Sequence, residues 1–119
     1  MKRDMDLVRR MLLVAEEQPH GEWLLGVDGI DADTFAAHVQ WLLDAGFVEG
    51  RVTEMAGFAA SRIERLTWQG CEFLDAARNE TLWVRAKEVF CSNMVSFPLS
   101  LLKDWLEAEI KRSLPGLGG

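Results

Sequence analysis

The chain has no tyrosine, three prolines, two cysteines and two histidines among its 119 residues. Each scarcity removes a class of protein. Cys71 and Cys91 have neither CxxC spacing nor a Cys/His cluster, so neither a disulfide framework nor a structural zinc site is supported, and both thiols read as small buried hydrophobes. Proline and glycine are too few, and apolar residues at 49% too many, for a disordered chain. Long hydrophobic runs are missing as well. The five residues 11–15 form one of the longest, against roughly 20 needed to span a bilayer. The start, MKRDMD, follows its bases at once with acids and leads into no apolar stretch with a small-residue cleavage site, so no secretory signal is expected. The reading is a cytoplasmic protein.

What remains is a chain of one-domain size. Its net charge is −6, and the first 49 residues carry all of it, with four bases against ten acids. Such a half repels phosphate backbones, so binding to nucleic acid would need a local basic patch.

Met5, Val8, Met11, Leu12 and Ala15 recur at the spacing of one helical face, which predicts a helix over 4–17 ended by Pro19 and Gly21. Residues 22–27, bounded by glycines, read as a short strand. A second helix is expected over 33–45, capped by Asp31 or Asp33 and stopped by Gly46. It groups Phe35, Val39, Leu42 and Leu43 on one face, with Ala37, Gln40 and Asp44 opposite and His38 and Trp41 on the borders. Strands over 47–55 and 59–66 follow, joined by a turn at Ala56 and Gly57.

Three helices complete the chain. Thr67 caps one over 68–79 with Cys71, Leu74 and Ala77 inward and Phe73 beside them. Thr81 caps another through Leu82, Trp83, Ala86, Val89 and Phe90. The last starts near Ser96 and Pro98 and runs to Ser113, burying Leu99, Leu102, Leu106 and Ile110, flanked by Leu101 and Trp105, with a Glu107–Lys111 pair on its wet side. Residues 114–119, LPGLGG, read as a frayed end. The expected fold is α+β and mainly helical: a winged-helix-like core of helix, short strand, helix and two-stranded wing over residues 1–67. A helical extension over 68–119 packs on that core as part of one folded unit.

MKRDMDLVRRMLL, HVQWLLDAGFVEG and RLTWQGCEFLDAAR followed by TLWVRAKE resemble the bacterial and phage family called domain of unknown function 2513, over nearly the whole chain. The resemblance implies a compact winged-helix protein with extra C-terminal helices, often encoded in prophages or mobile elements, with no assigned catalytic residues. Where the family motif leads one to expect histidine after the glycine, this chain has Cys71.

No enzyme and no cofactor is expected. His20 and His38 have no acid at metal-triad or nucleophile–base spacing, and no glycine run has the strand–loop–helix order of a phosphate cradle. His38 reads first as a structural side chain, with a switch or ligand role as the alternative. The second helix would be the one to enter a major groove, yet it carries no Lys or Arg, and Asp31, Asp33 and Asp44 would face phosphates. Arg51, Arg62 and Arg65 on the wing are the candidate contacts to a DNA backbone, unless Glu49, Glu54 and Glu64 pair with them. The leading expectation is a protein-binding module, a phage or prophage accessory factor acting on a host protein through Ala37, Gln40, Trp41 and Asp44. Trp68, Trp83 and Trp105 read as core or core-edge residues. The C-terminal helices could form a homodimer interface. The alternative is a dimeric winged-helix transcriptional regulator.

Overall fold

Asp4 starts the first helix by accepting the Leu7 N–H on its own carboxylate at 3.2 Å. In the computed structural model, which describes residues 1–55, 57–91 and 99–113, that helix is α1, Met5–Glu17. Along the described chain follow α2 (Ala32–Asp44), β1 (Val48–Met55), β2 (Phe58–Leu66), α3 (Trp68–Ala77), α4 (Glu80–Cys91) and α5 (Leu99–Ser113). The architecture is α+β and mainly helical. The chain forms two compact units, residues 3–72 and residues 73 onward, with the boundary inside α3.

In the first unit α1 buries Met5, Val8, Met11, Leu12 and Ala15, the stripe expected, together with Leu7. The strand expected over 22–27 shrinks to one residue. Leu24 exchanges both backbone hydrogen bonds with Ile63, at 2.9 and 3.0 Å, and no other residue of the segment joins the sheet. Past it the chain turns at Asp28 and Gly29, whose φ of 82° suits glycine, and enters α2 directly.

Asp31, rather than Asp33, caps α2. Its carboxylate takes the Thr34 hydroxyl at 2.7 Å and the Thr34 N–H at 3.0 Å. These bonds, the hydroxyl's first, hold the Asp31 carboxyl below its ordinary range. The buried face of α2 is Phe35, Ala36, His38, Val39 and Leu42, while Leu43 is only half-buried. His38 is therefore a core residue, 1% exposed. Its Nε2 accepts the Asp4 N–H at 2.9 Å, which fixes the proton on Nδ1, where it is donated to the Thr34 carbonyl at 2.8 Å. One neutral imidazole thus ties the start of α1 to α2.

The end of α2 is a Schellman turn: Gly46 N–H reaches the Leu43 carbonyl at 3.0 Å and Phe47 N–H the Leu42 carbonyl at 3.0 Å. Gly46, at φ 75°, makes it possible. The hairpin that follows pairs Val48 with Leu66 and Glu49 with Arg65, then shifts at a bulge and continues from Gly50 opposite Ile63 to Met55 opposite Phe58. Gly50 is required there, because a Cβ would lie 2.2 Å from the Arg62 carbonyl oxygen. Val48, Ile63 and Leu24 are buried on the core side. The turn contains Gly57 as expected, and Ala56 lies outside the described residues.

Thr67 joins the hairpin to α3. Its N–H reaches the Phe47 carbonyl at 2.9 Å, and its hydroxyl donates to Gly46 at 2.6 Å while accepting the Gly70 N–H at 3.1 Å. A Cβ at position 70 would sit 2.0 Å from the Phe47 oxygen. Along α3, Phe73, Leu74, Ala76 and Ala77 are buried, whereas Cys71 is exposed, against the expectation for it.

In the second unit Asn79, not Thr81, caps α4 by accepting the Leu82 N–H at 3.0 Å. Leu82, Trp83 and Ala86 are buried as expected, but Val89 is exposed. On α5, Leu102 and Leu106 are buried, Trp105 and Ile110 half-buried and Leu101 exposed. Glu107 pairs with Lys103 at 3.3 Å instead of Lys111, and Arg85 of α4 reaches Glu109 of α5 at 3.5 Å. Ser96, Pro98 and residues 114–119, and the side chains of Phe90, Cys91 and Leu99, lie outside the described residues.

Two substitutions test these junctions. Gly70→Ala must push apart the start of α3 and Phe47, and urea unfolding is expected to show a loss of about 1–3 kcal/mol. For Asp31 the lowered folded-state pKa means that its stabilisation is present above the ordinary carboxylate range and is lost as pH falls through the folded value. Asp31→Ala should therefore melt at a lower temperature than wild type at neutral pH, and the difference should close in acid.

Candidate functional site

The outward face of α2 is occupied with itself. The Gln40 amide donates to the Asp44 carboxylate at 3.0 Å. Trp41 is half-buried, its ring perpendicular to that of His38 with centroids 5.0 Å apart at 86°. Ala37 is half-buried too. The structure thus places these four on one helix, with Gln40 and Asp44 exposed and already bonded to each other.

The hairpin arginines lie on its outer face, because residues alternate sides along a strand and Ile63 and Val48 take the inner one. Arg65 forms a two-pronged bond to Glu49 at 2.7 and 3.0 Å and also reaches the Leu66 carbonyl at 3.0 Å. Arg62 Nε bonds Glu64 at 2.8 Å, and its guanidinium lies 4.0 Å above the Trp23 ring. Two of the three arginines are therefore held by carboxylates. Arg51 has no ion-pair partner among the described residues, and it stands directly opposite Arg62 across the hairpin.

Leu24 is the pivot of this face. Its bridge to Ile63 turns its own side chain inward, so its neighbours Trp23 and Leu25 point out, 47% and 69% exposed. Together with Arg51, Thr53, Ala60 and Arg62 they line an open groove of about 320 Å³. Sequence reasoning missed Trp23 and Leu25. The signal was present in Glu-Trp-Leu-Leu-Gly, where alternation about a buried Leu24 exposes both neighbours, but the segment reads as uniformly apolar until its pairing partner is known.

A second concavity of about 280 Å³ is lined by His20, Glu22, Glu64, Arg65 and Cys71 among others. No group of three metal-ligating side chains occurs among the described residues. Trp68, expected at the core edge, is 78% exposed, with its indole N–H donated to the Glu72 carboxylate. No helix among the described residues is long and apolar enough to cross a membrane.

Comparison with known proteins gives a family and a relative. The sequence profile of the family described as hypothetical protein (DUF2513) matches residues 2–96. An uncharacterized protein of Haemophilus influenzae (strain Rd) is 34% identical over 121 residues, covering 96% of this chain and 99% of the relative. No solved structure matches the chain.

Like charges directly opposite each other weaken a hairpin, and an opposite-charge pair contributes about 0.2–1 kcal/mol. Arg51→Glu, which sets a carboxylate across from Arg62, is expected to raise the thermal midpoint.

Proposed function

The chain belongs to the DUF2513 family, and we propose that it is a non-enzymatic protein-binding module with a winged-helix-like core. The observation that carries this reading is the pairing of exposed Trp23 and Leu25 with Arg51 on the outer face of the hairpin. Tryptophan and arginine are the residues that most often dominate interface energies, and large apolar side chains held out to water beside a groove favour a partner that covers them. The winged-helix likeness is supported by the order of helix, bridged residue, helix and hairpin. Only a turn stands between Leu24 and α2, so among the described residues no helix lies between the bridged residue and α2 to pair with it as a helix-turn-helix.

The hairpin is the primary binding face. Gln40 and Asp44 are bonded to each other, which leaves α2 a secondary contact through half-buried Trp41. The setting we assign, a phage or prophage accessory factor in the cytoplasm acting on a host protein, rests on the family resemblance. A DNA-binding regulator using Arg51, Arg62 and Arg65 is disfavoured by the carboxylates already bonded to the last two. Each carboxylate would have to be released before its arginine met a phosphate.

Two measurements on purified protein separate the readings. Electrophoretic retardation of random and genomic DNA at low salt is expected to be absent, whereas steep salt-sensitive retardation abolished by Arg62→Glu and Arg65→Glu would replace this reading with the regulator. Cross-linking in a bacterial lysate should capture a discrete protein, and Trp23→Ala should weaken that capture by about 2 kcal/mol or more, roughly 30-fold.

A further inference from the structure

Resting on the protein-binding reading, we infer that the groove on the outer face of the hairpin receives a short extended peptide in which a carboxylate sits beside a large apolar side chain. Three features of the groove point to that chemistry.

The first is its division into an apolar and a cationic side. Trp23 and Leu25 form one wall, and Arg51 stands on the far strand with β2 between them. Two strand spacings separate the walls, roughly 10 Å. Alternate side chains of an extended segment are about 7 Å apart, and the reach of a carboxylate arm covers the remainder. One peptide can therefore touch both walls.

The second is the charge left over. Glu49 neutralises Arg65 and Glu64 neutralises Arg62, while Arg51 has no ion-pair partner among the described residues. A single spare guanidinium matches a single carboxylate, which it can hold with two parallel hydrogen bonds. It does not match a nucleic acid, whose binding draws on several phosphate contacts and would meet a chain of net charge −6. The third is size. At about 320 Å³ the groove is at the small end of the roughly 300–1,000 Å³ typical of binding pockets, enough for a few side chains of a segment and too little for a folded surface.

Arg62 serves as the floor between the walls. Its guanidinium is stacked on Trp23 and anchored by Glu64, so the indole is held in place before any partner arrives. Arg51 faces that guanidinium across the strands at a cost in hairpin stability, which a bound carboxylate would offset.

The test is to pan a display library of random 12-residue peptides on the full chain and titrate labelled synthetic copies of the selected sequences by fluorescence anisotropy. Selected peptides should carry Asp or Glu next to Phe, Leu or Trp, and both Arg51→Glu and Trp23→Ala should weaken them tenfold or more. Arg51→Lys should retain part of the affinity, and Arg51→Glu should melt no lower than wild type, which separates lost binding from lost folding. Selection of no peptide, of peptides without carboxylates, or of peptides that bind Arg51→Glu as well as wild type would overturn this occupant. The protein-binding reading would still stand if lysate capture remained sensitive to Trp23→Ala. Binding of an oligothymidylate probe that is lost in Arg51→Glu would overturn both.

Discussion

The carbonyl of Phe47 is the fixed point of the first unit. It accepts the Thr67 N–H, and it stands so close to Gly70 that no side chain fits between them. The Thr67 hydroxyl completes the junction by bonding Gly46 on one side and Gly70 on the other. The end of α2, the two open ends of the hairpin and the first turn of α3 are thereby held at one place. With both strand ends anchored to α2, the hairpin has one inner face; Leu24 bridges to the edge of β2 away from β1 with its side chain on that inner face, and Trp23 and Leu25 are left outside. The exposed groove is thus a geometric consequence of a backbone junction some residues away.

That junction also explains why RLTWQGCEFLDAAR is recognisable. Thr67 is needed for its hydroxyl and Gly70 for its missing Cβ, and Leu74 and Ala77 are buried. Cys71, set where the family resemblance leads one to expect histidine, faces water in the first turn of α3, so the position constrains packing little.

The helices were legible in the sequence because their signals are local. Asp31, Gly46 and Thr67 act where capping chemistry places them, although Asn79 takes the role expected of Thr81, and the stripe of α1 is the one its periodicity predicts. What depended on distant partners was not legible. Residues 22–27 have the composition of a strand, but only Leu24 meets Ile63, and two flanking glycines lead the chain away. His38 read as a border residue because helical geometry alone cannot show that the Asp4 N–H, 34 residues earlier, requires a buried acceptor. For the candidate site, the pairing of hairpin arginines with acids was legible for Glu49 and Glu64. Arg51 is left over because Glu54, three residues on, falls on the opposite face of β1.

The outer edge of β1 has its own consequence for the behaviour of the protein in concentrated solution. Eight residues long, this strand pairs with β2 on one side and with no strand among the described residues on the other. A free edge of that length is a template on which a second hairpin could align and start a growing ribbon. Glu49, Arg51 and Glu54 place ionised groups where a neighbouring strand would have to dehydrate them. Arg51 thus also disfavours edge-to-edge pairing of two β1 strands.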